Sequence, residues 1–331
     1  MQTSSSPQVS VVVVSFNTRD VLQECLQTLE REAGDVSYET FVVDNASGDG
    51  SADMVERDFP RMKVLRSQVN LGFAAANNQA FPLAQGRYVV LLNSDAFLHP
   101  HALARAVAHM DADPRAGAGG ARLLGRDGSW QPSARMFPSL LNDVLTLSGL
   151  AARFPRSRFF GRMDRTWADA AVAAGVDWVP GAFVIVRREV LERVGYFDER
   201  FFLYYEEVDL CRRIKKAGYA VHYWPDVVVV HLGGESSKTV KRLTMSSAGS
   251  QLTLWRMRSA LLYYYKHHGL RGAWLAKKTE TLWHVVRAWR NVGSGDAERQ
   301  AKREESRALI AIMQQAWEDT QGGRLSPARP W

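Results

Sequence analysis

The triplet Asn93-Ser94-Asp95 follows an apolar run, Tyr88-Val89-Val90-Leu91-Leu92, that reads as a buried strand. An amide and a carboxylate two residues apart at a strand end suit a hard divalent cation that keeps waters and bridges phosphate oxygens. The same triplet is also ordinary turn chemistry, so its weight depends on its neighbours. Two further strand ends carry polar side chains: Ser15-Phe16-Asn17 after the Val-rich run from Val9, and Asp44-Asn45 after the run 40–43. A carboxylate at Asp44 could accept a hydrogen bond from a pyrimidine ring N–H, with Phe16 packed on the base. The alternative is a turn that caps a helix. Asn70-Leu71-Gly72-Phe73 with Asn77-Asn78 adds small residues and amides, which allow close approach to a nucleotide or tight packing of a helix on a sheet. No Gly-x-Gly-x-x-Gly follows the first strand, which excludes a dinucleotide fingerprint.

A second constellation lies downstream. Glu206-Glu207-Val208-Asp209 follows the aromatic run Phe201-Phe202-Leu203-Tyr204-Tyr205. Acids at a helix start are favoured by the macrodipole. In surroundings that exclude water, a carboxyl is also raised in pKa and can serve as a general base. Trp178-Val179-Pro180-Gly181-Ala182 leads into an apolar strand at 183–186, and His231 ends a strand at 227–230, before Gly233-Gly234-Glu235-Ser236-Ser237. A histidine at a strand end before a flexible loop is a ligand candidate.

The elements that must position these residues follow from periodicity. Val21, Leu22, Cys25, Leu26 and Leu29 predict a helix over 20–32, capped by Thr18 or Asp20. Further helices are expected at 51–59, 71–83, 100–110 (Pro100 in its first turn), 188–194 and 209–217, the last ending at Gly218. Strands are expected at 9–15, 40–43, 62–66 and 88–92. This alternation predicts an α/β fold with a doubly wound parallel sheet. Its strand ends at 15–17, 44–45 and 93–95 would share the edge where such sheets bind ligands.

Bulk composition bounds the rest. The 331 residues are 46% hydrophobic and 23% charged, as in a soluble globular protein. Cys25 and Cys211 stand far apart, which predicts a reducing compartment and no disulfide framework. The Ser-rich start predicts no secretory leader, and no apolar run of about 18 residues predicts a membrane span. A net charge of +7 points to an anionic partner. Much of it lies with aromatics between 252 and 292, in a helical pattern expected to break at Gly269 and Gly272. Two readings stand there: amphipathic helices on an anionic membrane surface, or aromatics packed against the catalytic domain. A polar helix over 298–319 and a mobile tail from Gln321 complete the expectation.

The ordered set Ser15-Phe16-Asn17, Asp44-Asn45, Asn70-x-Gly72 with Asn77-Asn78, Asn93-Ser94-Asp95, Pro180-Gly181-Ala182, Glu206-Glu207-Val208-Asp209 and His231 resembles the family 2 glycosyltransferases, and within them the bacterial rhamnosyltransferase-like branch. The resemblance covers about residues 8–240. It implies a GT-A fold, Rossmann-like with a mostly parallel sheet flanked by helices. Residues 1–240 would be the catalytic domain, its nucleotide-sugar half at about 8–115 and its acceptor half at about 116–240, with 241–331 a basic, aromatic-rich helical extension.

The resemblance also implies a nucleotide-sugar donor (dTDP-L-rhamnose first, a UDP-hexose second), a divalent metal (Mg2+ or Mn2+) and inversion at the anomeric carbon. The acceptor would be a saccharide or a polyprenyl-diphosphate-linked glycan of the cell envelope, at the inner face of the cytoplasmic membrane. By the resemblance, Ser15, Phe16, Asn17, Asp44, Asn45, Asn70, Gly72, Asn77, Asn78, Asn93 and Ser94 would bind the donor. Asp95 and His231 would hold the metal. Trp178, Gly181 and Ala182 would lie beside donor sugar and acceptor. The catalytic base falls on Glu207, with Glu206 the alternative and Asp209 in support. Asn93 and Glu207 each replace an aspartate of the family pattern. A nucleotidyltransferase of the same fold would need a Gly-rich basic loop where Phe16-Asn17-Thr18 stands. A nucleic-acid-binding protein using the basic C-terminal segment is the reading from another class.

Overall fold

The computed structural model describes residues 6–233, 245–293 and 296–327. The chain divides into two compact units. The first comprises 1–137, 164–199 and 206–241; the second comprises 138–163, 200–205 and 242–331.

In the first unit β1 (Val9–Ser15), α1 (Arg19–Glu32), β2 (Tyr38–Asp44), α2 (Ser51–Asp58), β3 (Lys63–Arg66), α3 (Gly72–Ala80) and β4 (Tyr88–Asn93) alternate as expected. Val11, Val12 and Val13 are all buried, because parallel strands covered on both faces must be apolar throughout. A short β5 (Ala96–Leu98) and α4 (Ala102–Ala112) follow. The expected helix start at Pro100 is two residues early. His101 takes the left-handed N-cap position (φ 64°), so Pro100 lies outside the helix. The next strand, β6 (Ala116–Leu124), was not legible. It is built largely of Ala and Gly, and Trp224 and Val179 fill the space where side chains at Gly119 and Gly120 would stand.

The second unit begins with α5 (Leu140–Leu147) and α6 (Leu150–Arg153), between β7 (Trp130–Gln131) and β8 (Ala174–Gly175) of the first. The first unit resumes with β9 (Phe183–Arg187), α7 (Arg188–Val194), α8 (Glu206–Lys216) and β10 (Ala220–His231). Two helices of the second unit close the order, α9 (Met245–Arg290) and α10 (Ala297–Asp319).

The sheet runs β3-β2-β1-β4-β9-β6-β10-β5. Pairing is parallel from β3 to β4, as predicted, and again between β6 and β10. It is antiparallel where β9 enters between β4 and β6 and where β5 meets β10, so the sheet is mixed rather than doubly wound throughout. The final strand is much longer than the 227–230 run. Pro225 supplies no ladder N–H, and the register with β6 shifts between Trp224 and Val228, which splits the pattern in sequence.

In the second unit α9 is kinked at Gly269 (φ 67°, ψ −175°). Gly272 continues the helix. A side chain there would meet the His268 Cβ at 2.4 Å, so Gly272 serves close packing rather than a break. Before the kink Trp255, Tyr263 and Tyr264 are buried, with partners inside the second unit: Phe202 on Trp255, Tyr205 on Tyr263 and Asp143 on Tyr264. Ser259 Oγ donates to the Leu203 carbonyl (2.8 Å), and Arg258 pairs with Asp319. Gly322 and Gly323 are buried against Trp317 and Leu261, so the stretch read as a loose tail is ordered as far as Pro327. Gly234 to Ser237 of the predicted loop, and Ala328 to Trp331, lie outside the described residues.

Asp143 on α5 accepts a hydrogen bond from the Tyr264 hydroxyl (2.5 Å), and burial raises its pKa from 3.8 to about 6. A raised folded-state pKa means the folded chain holds this proton more tightly. The stabilisation is complete below pH 4 and is lost as pH rises through 6. Asp143→Asn is therefore expected to gain stability over the parent by up to about 3 kcal/mol between pH 4 and 7. Denaturant melts at the two pH values check this.

Candidate active site

Parallel pairing brings the three polar strand ends side by side: Ser15 lies opposite Asp44, and Val14 opposite Asn93. Left-handed residues turn the chain after β1 (Asn17, φ 52°) and after β2 (Ala46, φ 66°). Asn17 locks these two loops together. Its N–H donates to Ser47 Oγ (3.0 Å), and its Oδ1 accepts from the Gly48 N–H (2.8 Å). A buried hydroxyl chain, Ser15–Thr18–Ser94, ties the first loop to the third with two bonds of 3.0 Å. Thr18 is the N-cap of α1 by position, and its hydroxyl is engaged in this chain instead of capping.

The amides are engaged in the same way. Asn45 Nδ2 donates to Asn70 Oδ1 (2.9 Å) and the Gly72 carbonyl (3.3 Å), and its Oδ1 accepts from the Leu71 N–H (2.8 Å). Asn77 donates to the Phe73 carbonyl (2.8 Å). Asn78 clips α3 to the turn after α7, exchanging hydrogen bonds with both the N–H and the carbonyl of Phe197. Gly72 (φ 80°) starts α3 in a conformation that glycine adopts without strain. These side chains hold the edge in shape. Two acceptors on that edge stay open: Asp44 Oδ1 and Asn93 Oδ1 are buried with no hydrogen-bond partner among the described residues. Asp44 Oδ2 accepts the Ser47 N–H (3.2 Å).

At the far end of β4, antiparallel pairing of β5 with β10 sets His231 opposite Ala96, next to Asp95. His231 Nε2 lies 3.4 Å from Asp95 Oδ1, and the Asp95 side chain is 8% exposed. Gln131 fixes the ring: its Oε1 lies 3.0 Å from His231 Nδ1 and its Nε2 donates to the His231 carbonyl (2.8 Å). A carboxylate oxygen and an imidazole nitrogen that face one point fit a divalent ion whose other ligands come from phosphate and water. Gln131 supplies the outer-shell hydrogen bond that such an imidazole needs.

The acid pair opens α8, three residues earlier than expected. Tyr204 (φ 69°) and Tyr205 (φ 71°) are both left-handed, and this turn lets the helix begin at Glu206. Glu206 is 4% exposed and its Oε2 has no partner among the described residues. Burial, then the charge of Glu207, hold its pKa well above the carboxylate range. Glu207 is half-buried as a residue, and its Oε2, like that of Glu206, is buried with no partner among the described residues. Burial raises its pKa too, opposed by backbone N–H groups, Gly181 among them, and by Arg135. Asp209 is fully buried and pairs with Arg213 (2.8 Å), which also donates to the carbonyls of Val194, Gly195 and Tyr196. Asp209 therefore frames the turn after α7. Arg135 stacks on Trp178 at 4.7 Å and pairs with Asp164, while Trp178 donates to the Met136 carbonyl. The Ala182 carbonyl accepts the Asn93 N–H (3.1 Å), joining the 178–182 loop to the end of β4.

The family model of glycosyl transferase family 2 matches residues 10–195. The chain belongs to this family. An N-acetylglucosaminyl-diphospho-decaprenol L-rhamnosyltransferase of Mycobacterium tuberculosis is 30% identical over 234 residues, 67% of this chain and 75% of the relative. Rhamnosyltransferase WbbL of Escherichia coli is 24% identical over 267 residues, 77% of this chain and 92% of the relative. A mannosyltransferase of Pyrobaculum calidifontis, solved with GDP-Man and Mn2+, superposes with a TM-score of 0.56 at 19% identity, covering 95% of this chain and 88% of that one. The fold is GT-A with a C-terminal helical extension.

In this family 2 glycosyltransferase the residues that sequence reasoning missed are Gln131 and Arg135. Neither sits in a recognisable pattern, and each acts across the fold on a residue far away in sequence. Both cysteines are buried with their thiols pushed up, Cys211 to about 12, which excludes thiolate chemistry. Among the described residues no helix is long and apolar enough to cross a membrane.

Proposed function

We propose that this glycosyltransferase moves L-rhamnose from dTDP-L-rhamnose, with inversion, to a hydroxyl of a polyprenyl-diphosphate-linked saccharide at the inner face of the cytoplasmic membrane. The observation that carries the reading is the pair of open acceptors on the β2 and β4 ends, Asp44 Oδ1 and Asn93 Oδ1, within reach of one sheet edge. A buried acceptor without a donor is unfavourable by about 1–3 kcal/mol. A thymine ring N–H at Asp44 removes that penalty, and a ribose hydroxyl or ordered water does so at Asn93. The two relatives named as rhamnosyltransferases support the choice of sugar.

The acceptor hydroxyl attacks the anomeric carbon opposite the leaving group. The new C–O bond forms as the anomeric carbon–phosphate oxygen bond breaks, and that electron pair leaves with dTDP. Glu207 takes the hydroxyl proton. Glu207 is partly exposed as a residue whereas Glu206 is 4% exposed, and this favours Glu207, although one carboxylate oxygen of each is buried without a partner among the described residues. Asp95 and His231 would hold the divalent ion, which when bound supplies positive charge to the departing diphosphate. Gly181 and Trp178 shape the loop beside Glu207.

Calorimetry with dTDP and UDP plus Mn2+, followed by turnover of a donor panel, tests the reading. Binding of dTDP and transfer from dTDP-L-rhamnose are expected. Absence of any nucleoside diphosphate binding would sink it. Asp44→Ala is expected to weaken dTDP binding about 10–100-fold, the value of a hydrogen bond to a charged group. Equal affinity in that variant would take the base away from Asp44.

A further inference from the structure

Beyond the kink, the segment of α9 from Leu270 to Arg290 presents its faces in reverse of an ordinary surface helix. Its polar side chains turn toward α10: Lys277 donates to Gln314 (2.7 Å), Arg287 to Glu305 (2.7 Å), and His284 is buried. Its apolar side chains turn outward. Trp289 is 75% exposed, Leu282 63%, Trp274 47% and Val285 47%. Trp274, Lys278, Leu282, Val285 and Trp289 recur at steps of four or three, so they form one stripe. From Trp274 to Trp289 the stripe runs about 23 Å at 1.5 Å per residue. A surface helix normally hides such a face. A contiguous apolar patch left outside marks a place that something covers.

Charge identifies the cover. Arg271 and Lys278 lie within the stripe and Arg290 on its edge, all exposed. The one acid between 270 and 292, Glu280, is bound to Arg256. A second copy of the chain would set these cations against their own kind. A headgroup layer accepts every component: tryptophan rings at the interface, aliphatic side chains below them, and cations on phosphates. The Lys278 ammonium already lies 5.6 Å above the Trp274 ring, where its stem covers apolar surface and its charge stays in water.

We propose that this stripe docks the protein on an anionic lipid surface, with Leu282, Val285 and Trp289 inserted at headgroup depth and Arg271, Lys278 and Arg290 on lipid phosphates. The proposal rests on exposure and charge alone, and it stands or falls independently of the sugar-transfer reading.

Co-sedimentation of the full chain with phosphatidylcholine vesicles, with and without phosphatidylglycerol, tests it without donor or acceptor. Binding to the anionic vesicles is expected, weakening with salt. Leu282→Ser with Trp289→Ser should reduce it at least about tenfold through lost apolar insertion. Arg271→Glu with Lys278→Glu should do the same through lost charge, on anionic vesicles only. All four positions are exposed, and unchanged melting temperatures establish that the variants fold. Four results overturn the proposal: no vesicle binding, binding indifferent to both double variants, self-association through this stripe in place of lipid binding, or binding to RNA or DNA in place of vesicles.

Discussion

Glu207→Gln is expected to lower kcat by about 10²–10⁴-fold while donor affinity stays within about threefold of the parent. The amide keeps the shape of the side chain and loses the ability to take a proton. The effect therefore falls on turnover, where the base acts, and spares the ground state. The direction of the pKa gives a second readout. Burial lifts the Glu207 carboxyl above its ordinary range, against the pull of Arg135 and nearby N–H groups. Activity requires the deprotonated form, so kcat rises with pH through that lifted pKa, and glutamine abolishes this acid limb.

Glu206→Gln is the control. Its carboxyl is buried and its pKa is held well above the carboxylate range, so the amide stands close to the favoured form of the group and turnover is expected to change little. Because its pKa is raised on folding, the stability it contributes is present below pH 4.5 and lost as pH rises through the folded value. The Glu206→Gln chain is therefore expected to melt higher than the parent at neutral pH. If the turnover loss follows Glu206 and spares Glu207, the assignment of the base is reversed.

Asp95→Asn is expected to abolish the Mn2+-dependent part of dTDP binding, a loss of at least about 10²-fold, with little change in the melting temperature of the free protein. The carboxamide occupies the same volume and leaves the hydrogen bond between the Asp95 carbonyl and Leu232 in place. It removes the anionic oxygen that faces His231 Nε2 at 3.4 Å. A titration of dTDP with and without Mn2+, read by heat or by thermal shift, separates the two contributions. Unchanged metal dependence in this variant would move the ion away from Asp95.

Much of this protein was legible in its residues. Valine-rich runs and helical spacing located the strands and helices between Val9 and Asn93 to within a few residues, because buried parallel strands must be apolar along their length and amphipathic helices repeat every three to four positions. The order of the short motifs carried the family. The harder parts were those that depend on partners distant in sequence. Asn45, Asn70 and Asn78 read as nucleotide ligands, yet their amides are bonded within the protein. Composition does not say whether an amide meets a ligand or a carbonyl. The strand at 116–124 was invisible because alanine and glycine carry little periodic signal, and its apolar cover comes from Trp224 and Val179.

The sequence by itself determined the inventory: an acid pair after an aromatic run, an Asn-x-Asp at a strand end, a histidine at the end of the last strand, and a basic aromatic tail. These are local features, set by side-chain type and spacing. Tertiary structure decided which of them work together. Helix phase, set where Tyr204 and Tyr205 turn the chain, buries Glu206 and leaves Glu207 partly exposed. Antiparallel pairing of β5 with β10 carries His231 to Asp95, and Gln131, 100 residues away, orients its ring. The packing of α9 on α10 chooses which side of a mixed helix faces water, and it leaves Trp274 and Trp289 outside. Each outcome depends on contacts between segments remote in the chain, and a periodic pattern along one segment does not encode its partner.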